Sequence, residues 1–406
     1  MGSRGGRRAA WRWIATMALA AMLFGDGAAA LGNTAAPRTQ TPTDQQAPPH
    51  PCIPVEATAT AQAVFDAMDT NQRLGQLIMV PLIRGTSPKA TYEYVEANGI
   101  GGVLLLGNGW SKRQVLNRTK RLGKIDKPAG AGLLIAADQE GGMVQRLSGK
   151  GFSRIPAALT QGKWSAKKLL GGWRRWGKQL AAAGINLNLA PVADVVPRSI
   201  QRAGSNAPIG KLRRSFGPDP ETAGSHAATV IEGLADAGIG SAIKHFPGLG
   251  RVKGNTDLTS KGVRDRATSA TSASIDSFRL ALDACPSMVM ISHATYTKID
   301  RSNPAAFSSA VITDLLRTDL AWSGVVISDA LDAAAVKSVP TSRRAVRFIE
   351  AGGDIAEFSS LTAAKSALSG LRSTYADDDA FRTQADAAVL RVLTLKAQLG
   401  LIEPAG

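Results

Sequence analysis

The chain has 406 residues, and 44% of them are hydrophobic, which suffices for a full core and fits one large domain better than two small ones. The formal net charge is +16, and about +13 remains without the first 30 residues. The basic residues are scattered, aromatic residues make up 5% of the chain, and no nucleic-acid-binding motif occurs, so we expect no nucleic-acid partner. The charge either favours anionic polymers such as cell wall or is only a basic surface.

Residues 1–30 have the pattern of a targeting segment. Four arginines precede a short apolar run, Ile14 to Phe24, and Ala28-Ala29-Ala30 offers a cleavage site with small side chains. The run is short for a membrane span. We predict a signal peptide and a secreted or extracytoplasmic protein, with an uncleaved N-terminal anchor as the alternative.

Residues 31–56 are rich in proline, threonine and alanine, which predicts a flexible linker in an exported protein. The chain has two cysteines, Cys52 and Cys285. In an exported protein such a pair is a candidate disulfide, and two unpaired buried thiols are the alternative. Their spacing does not favour a metal site.

Eight short apolar runs between residues 77 and 358 have the length of buried parallel strands, and amphipathic stretches of helical length separate most of them. The predicted strands are Leu77–Leu82, Gly101–Leu106, Leu133–Ala137, Ile185–Val192, Ile239–Ile243, Met288–Ser292, Gly324–Ser328 and Asp354–Phe358. Eight alternating units favour an α/β fold of the (β/α)8 barrel type over a doubly wound sheet. We predict that residues 57–406 form this single domain, with a last helix over Asp378–Leu399 packed outside the barrel.

Polar clusters follow several of these strands, at the end of a barrel where enzymes place their active sites. Asp138 and Glu140 follow the third run, Lys244 and His245 the fifth, and Asp329 the seventh. Each cluster also has a plain explanation. Asp329 is a good helix N-cap, the Asp138 segment makes a tight loop, and a lone histidine is often a core residue. Three such clusters at the C-terminal ends of predicted strands nevertheless predict one active-site rim.

The motifs at these strand ends resemble glycoside hydrolase family 3, in particular its single-domain β-N-acetylglucosaminidase branch. They run in the family's order from about residue 74 to residue 400: AADQEGGMVQRL, NLAPVADV, RSFGPDPE, AIKHFPGLG, MISHATY and GVVISDAL. The resemblance implies a retaining mechanism through a covalent glycosyl-enzyme, with Asp329 as the nucleophile. It also implies a set of sugar-binding residues: Asp138, Arg146, Arg214, Lys244, His245 and His293.

One loop departs from the family's pattern. The branch has an Asp-Ser-His motif after KHFPG, whose histidine is the acid/base, and this chain has Asn255-Thr256-Asp257 instead. Three interpretations stay open. Asp257 replaces the histidine as acid/base, the loop no longer protonates a leaving group, or Asn255 and Asp257 merely form a turn.

The sequence therefore predicts an exported glycosidase that acts on β-linked sugars, most specifically on terminal β-N-acetylhexosaminides derived from cell wall. The alternative function is a catalytically impaired carbohydrate-binding protein on the same scaffold, and phosphorolysis is a third possibility. We expect no metal and no organic cofactor. The expected partners are amino-sugar glycosides and a cell-wall or membrane surface, and we expect a monomer.

Overall fold

The computed structural model describes Cys52 and residues 55–402 of the protein. The predicted signal peptide and nearly all of the predicted linker lie outside these residues. A helix begins at Val55, two residues before the predicted end of the linker. Within residues 55–402, no helix is both long and apolar enough to cross a bilayer.

Eight parallel strands form the centre of the molecule. They are β1 (Ile78–Ile83), β2 (Gly102–Leu106), β3 (Leu134–Ala137), β4 (Leu187–Asn188), β5 (Gly240–Phe246), β6 (Met288–Ile291), β7 (Val325–Ser328) and β8 (Ala356–Glu357). Each strand from β1 to β6 pairs with the next along the chain, and β8 pairs with β1. A parallel bridge between Ile327 and Ile355 joins β7 to β8, so the sheet closes into the predicted (β/α)8 barrel.

Helices surround the barrel, and the last of them, Asp379–Gln398, lies within one residue of its predicted bounds at each end. The α-helices are Val55–Ala67, Thr70–Gln76, Lys89–Asn98, Lys112–Leu122, Ala158–Gln161, Ala166–Ala181, Arg198–Ala203, Pro220–Ala235, Asp276–Leu282, Thr341–Glu350, Leu361–Asp377 and Asp379–Gln398. Ala310–Asp319 is a π-helix. Short 3₁₀ turns are Pro128–Gly130, Ala273–Ile275, Ala305–Phe307 and Ala334–Val336. Two short strand pairs join Gln139–Gly141 to Val144–Gln145 and Arg264–Asp265 to Thr295–Tyr296.

The first two helices, Val55–Ala67 and Thr70–Gln76, were not predicted. The Ala- and Thr-rich segment before Met68 resembles a continuation of the linker, and its helical state depends on packing against the last helix, Asp379–Gln398. The second helix has a local signal instead. The Asp69 carboxylate accepts the backbone N–H of Gln72, and the Gln72 side chain accepts the N–H of Asp69, which is a capping box.

The prediction that Lys244 and His245 follow the fifth strand was wrong, because β5 continues through both of them to Phe246. Lys244 is 1% exposed and His245 is 4% exposed. Charged side chains are tolerated inside a buried strand only when they are paired, and both side chains have carboxylate partners in the barrel mouth.

Cys52 and Cys285 form the predicted disulfide, with their Cα atoms 5.5 Å apart. The bond ties the chain segment before the first helix to the residues that precede β6. The alternative of two unpaired buried thiols is therefore wrong.

We expect loss of this disulfide to lower stability, because the bond closes a loop of 233 residues and so restricts the unfolded chain. The Cys52→Ser, Cys285→Ser double variant should lose about 2–4 kcal/mol of unfolding free energy in urea. Dithiothreitol should destabilise the wild-type protein to the same extent, and it should not change the stability of the double variant. Equal unfolding midpoints for oxidised and reduced wild-type protein would contradict this expectation.

Candidate active site

Titratable side chains from five neighbouring strands meet at the C-terminal end of the barrel. Most lie in the last residues of a strand or within two residues after it, and Asp194 lies six residues after β4; in order from β3 to β7 they are Asp138, Asp194, Lys244 with His245, His293, and Asp329. Parallel strands that close into a barrel bring their carboxyl ends to one mouth, which accounts for the convergence.

A chain of ion pairs forms one wall of the mouth. The Lys244 ammonium Nζ lies 2.7 Å from Asp138 Oδ1 and 2.7 Å from Glu140 Oε1. The Arg214 guanidinium donates two hydrogen bonds of 2.8 Å to the two carboxylate oxygens of Glu140. This two-point pairing fixes the Arg214 side chain, and Glu140 is the link that holds Lys244 and Arg214 together.

Glu140 and Lys244 both remain charged. Burial would raise the pKa of Glu140, but the adjacent Arg214 and Lys244 lower it far below its usual range. Burial would likewise lower the pKa of Lys244, but Asp138 and Glu140 raise it above the usual value. The wall therefore presents fixed cations and anions to a ligand, and it has little freedom to reorganise.

His245 is held in one ring orientation by two partners. Its Nδ1 atom lies 2.7 Å from Asp194 Oδ2 and donates to that carboxylate, while its Nε2 atom accepts from Arg214 Nη2 at 3.2 Å. Asp194 is fully buried and also accepts the backbone N–H of Leu249 at 2.7 Å. The ring orientation is thus set by groups on both of its sides.

Arg146 lies at the edge of the same wall. Its Nη1 atom donates to Asn108 Oδ1 at 2.9 Å, and its Nε atom lies 3.8 Å from Asp138 Oδ2. That Nε atom is buried and has no hydrogen-bond partner among the described residues. Arg146 therefore has a donor left for a ligand oxygen.

Asp329 follows β7 and faces the opposite side of the mouth. Burial would raise the pKa of its carboxyl, but His293, His245, the backbone N–H of Ala330 and Lys244 together lower it. The Ala330 N–H lies 2.9 Å from Asp329 Oδ1. Asp329 is consequently an anion near neutral pH, which is the form that acts as a nucleophile.

His293 lies beside Asp329 and is neutral. Burial lowers the pKa of its ring, and its Nε2–H donates to the carbonyl oxygen of Ala330 at 2.9 Å. The Nδ1 atom is buried and accepts no hydrogen bond from the described residues. It is therefore an acceptor that is open to a ligand donor.

The loop with Asn255 and Asp257 is docked onto the segment that follows Asp329. The backbone N–H groups of Ala334 and Ala335 donate to the carbonyl oxygens of Asp257 and Thr256, at 3.2 and 3.0 Å. The Asn255 side chain accepts the backbone N–H of Asp257 at 3.0 Å, which forms the predicted turn. The turn and an acid/base role are compatible, because the turn fixes the backbone of the residue that carries the carboxyl.

The electrostatic surroundings of Asp257 differ from those of Asp329. Enclosure by the walls of the mouth and the nearby charge of Asp329 raise the pKa of Asp257 to about 6. Asp257 as a whole residue is nevertheless solvent-exposed, because the loop presents the rest of its surface to water. One carboxyl of the pair thus retains its proton up to nearly neutral pH, and the other does not.

All eight sequence-predicted site residues meet at this mouth. Glu140 and Asp194 lie there as well, although they were not among the predicted site residues. A further carboxyl that was not predicted is Glu357, the last residue of β8, which is 3% exposed. The sequence signal that could have revealed Glu357 is its position as a charged residue inside the apolar run Asp354–Phe358. No group of three or more His, Cys, Asp or Glu side chains with the geometry of a metal site occurs in the part of the chain that the structure describes.

The family model for the glycosyl hydrolase family 3 N-terminal domain matches residues 69–395. The chain belongs to glycosyl hydrolase family 3. This membership accounts for the barrel and for the position of the polar clusters at its mouth.

Solved structures and curated relatives agree with this assignment. The β-N-acetylhexosaminidase of Beutenbergia cavernae is 41% identical, has a TM-score of 0.77, and is matched over 81% of this chain and 99% of its own. A family 3 β-N-acetylglucosaminidase of Paenibacillus is 27% identical, with a TM-score of 0.72, over 84% of this chain and 64% of its own. A secreted glycosyl hydrolase of Arthroderma benhamiae is 31% identical over 74% of this chain and 84% of its own length. A β-hexosaminidase of Alkalilimnicola ehrlichii is 35% identical over 63% of this chain and 72% of its own length.

Proposed function

We propose that the protein is a retaining β-N-acetylhexosaminidase that removes terminal β-linked amino sugars, with Asp329 as nucleophile and Asp257 as acid/base. The observation that carries the proposal is the contrast between these two carboxyls at one mouth. Asp329 has a lowered pKa, whereas the pKa of Asp257 is raised to about 6. A double-displacement glycosidase needs one anionic and one protonated carboxyl beside the same glycosidic bond.

In the first step, an Asp329 oxygen attacks the anomeric carbon while Asp257 gives its proton to the leaving oxygen. The glycosidic C–O bond breaks, and an ester bond forms between the sugar and Asp329. In the second step, Asp257 accepts a proton from water. The resulting oxygen nucleophile cleaves the ester and returns both carboxyls to their starting states. The sugar leaves with the configuration that it had in the substrate.

The ion-paired wall supplies the binding energy for the sugar. Asp138, Arg146, Arg214, Lys244 and His245 offer donors and acceptors that are fixed by one another. Since these groups need not reorganise, their hydrogen bonds to sugar hydroxyls can strengthen as positive charge develops on the ring. His293 offers a further acceptor next to Asp329.

The preference for N-acetylated amino sugars is supported by the relatives, several of which are named β-hexosaminidase or β-N-acetylhexosaminidase. Export is supported by the targeting pattern of residues 1–30 and by the Cys52–Cys285 disulfide, because such bonds persist in oxidising compartments. We propose cell-wall amino-sugar glycosides as the natural substrates and a monomer as the active form.

The direct test is turnover of 4-nitrophenyl β-N-acetylglucosaminide, compared with the corresponding glucoside and xyloside. We expect the highest kcat/KM for the N-acetylated substrate and initial release of the β-anomer by proton NMR. Initial release of the α-anomer would overturn the retaining mechanism. Tight binding of N-acetylglucosamine without any turnover would favour the carbohydrate-binding alternative.

A further inference from the structure

Glu357 points into the barrel interior at its mouth. The side chain of Asp354, three residues earlier, lies on the outer face, where it pairs with Arg317 and Arg391 of two surrounding helices at 2.8 Å each. Successive residues of an extended strand alternate between faces, so Ile355 and Glu357 face inward. Glu357 is the last residue of β8, and β8 lies between β7, which leads to Asp329, and β1.

The Glu357 carboxyl makes no hydrogen bond to the described residues, and its oxygen atoms are not among the fully enclosed atoms without a partner, so the small exposed part of the residue includes the carboxyl. Its backbone is fully used: the N–H donates to Ser328 Oγ at 3.0 Å, and the carbonyl oxygen accepts from the Leu331 N–H at 2.9 Å. The two buried cations of the mouth are already engaged, since Lys244 binds Asp138 and Glu140, and Arg214 binds Glu140.

The charged groups that act on Glu357 are other carboxyls. Burial and then the negative charges of four aspartates raise its pKa well above the usual value; these are Asp329, Asp138, Asp332 and Asp257. On its other side, β1 (Ile78–Ile83) contains no titratable side chain. Glu357 is therefore a neutral carboxylic acid near neutral pH, with one O–H donor directed into the mouth.

A nearly enclosed carboxyl whose only partner is solvent is costly to desolvate. A leucine of similar volume at this position would bury apolar atoms without that cost. A sugar in the mouth presents several oxygen atoms that accept hydrogen bonds, so it can take the place of that solvent. The Glu357 carboxyl is therefore positioned to contact a substrate.

We propose that Glu357 is a further sugar-binding residue, whose carboxylic acid donates a hydrogen bond to an oxygen atom of the sugar that lies against Asp329. The proposal rests on the proposed function, in that it assumes a sugar at this mouth. It differs from a charge-pairing role like that of Asp138 or Glu140, because Glu357 acts as an uncharged donor.

The test compares Glu357→Gln, which keeps an N–H donor, with Glu357→Leu, which has none. Glu232→Gln, on an exposed helix position, is the matched surface control. For turnover of the 4-nitrophenyl substrate, we expect Glu357→Leu to raise KM about tenfold, the effect of one lost hydrogen bond, and Glu357→Gln to stay within about threefold of wild type. The Leu variant should have an unfolding midpoint at or above that of wild type, which excludes misfolding as the reason for weak binding.

The pH dependence separates a donor from a merely structural residue. In wild-type protein, affinity should fall as pH rises through the raised pKa of Glu357, because the ionised form no longer donates and repels Asp329. The Gln variant cannot ionise and should lack this fall. Wild-type affinity in the Leu variant, or an equal loss in the Gln and Leu variants, would overturn the proposal.

Calorimetric binding of free N-acetylglucosamine provides the same comparison without turnover. Binding of this sugar without hydrolysis of substrates would contradict the proposed function. The comparison of the Glu357 variants would remain a valid test of the sugar-binding role. In that case too, the inference is supported if the Gln variant binds N-acetylglucosamine with wild-type affinity and the Leu variant binds it about tenfold more weakly.

Discussion

Replacing Asp329 with asparagine should abolish hydrolysis while leaving sugar binding largely intact. The amide cannot form the glycosyl ester, so we expect kcat/KM for 4-nitrophenyl β-N-acetylglucosaminide to fall by at least about a thousandfold. The ion-paired wall of Lys244, Glu140 and Arg214 does not depend on Asp329 for its geometry. Binding of N-acetylglucosamine, measured by calorimetry, should therefore change much less than turnover.

Asp314→Asn is the matched control for this substitution, because Asp314 is exposed on the π-helix outside the barrel. That variant should hydrolyse the substrate like wild type. A mechanism-based 2-fluoro glycoside should label the wild-type protein on Asp329, as read by mass spectrometry of peptides, and should leave the Asp329→Asn variant unlabelled. Wild-type turnover by the asparagine variant, or a label on another carboxyl, would contradict the nucleophile assignment.

Replacing Asp257 with alanine should have an effect that depends on the leaving group. A general acid contributes about 10²–10⁴-fold when the leaving group is poor, so hydrolysis of N-acetylglucosamine disaccharides should fall within that range. Glycosyl-enzyme formation from the 4-nitrophenyl substrate should fall by about tenfold or less, because nitrophenolate needs little protonation. Azide should then accelerate the second step in the alanine variant and give a β-glycosyl azide, because it needs no general base.

The pH profile gives a second signature of the same role. Asp257 acts in its protonated form, so activity should fall as pH rises above its pKa of about 6, and this alkaline limb should disappear in the alanine variant. The acidic limb belongs to Asp329, which must be ionised and whose pKa is lowered, so activity should fall only at clearly acidic pH. Because the two carboxyls interact, the apparent pKa values of the two limbs are properties of the coupled pair.

Asn255→Ala tests the turn separately, because it removes the bond to the Asp257 N–H and keeps the carboxyl. We expect a smaller loss than for Asp257→Ala and no azide rescue. If Asp257→Ala hydrolysed disaccharides at the wild-type rate, the turn would be the loop's only role. If wild type itself failed to cleave disaccharides yet cleaved aryl glycosides, the loop would no longer protonate leaving groups.

In the mechanism that we propose, Asp257 takes the acid/base role that the branch gives to a histidine, within the same barrel architecture. The loop is docked through backbone atoms, with Ala334 and Ala335 as donors, so its position depends little on the side chain at the acid/base position. A carboxyl in this position becomes useful only when its pKa rises, and the enclosing walls and Asp329 provide that shift.

The barrel could be predicted because most of its strands are uninterrupted apolar runs. Runs such as Gly101–Leu106 and Met288–Ser292 are buried on both faces, and that burial is visible as uninterrupted hydrophobic sequence. The predicted fourth strand, Ile185–Val192, was far too long, since only Leu187–Asn188 pairs as a strand. The chain beyond it carries Asp194 toward His245, a tertiary contact that no local pattern encodes.

The sequence by itself determined the number of strands, the motifs at their ends, and hence the family and the residues of the mouth. These are properties of local hydrophobicity and of short motifs, which act within a few residues. Only the tertiary structure decided the protonation states, because those depend on groups far apart in the chain. Glu140 stays ionised through Arg214 and Lys244, whereas burial and the negative charges of nearby aspartates keep Glu357 neutral. Two glutamates of the same intrinsic acidity thus acquire opposite charge states at one barrel mouth, through partners that the fold alone brings near.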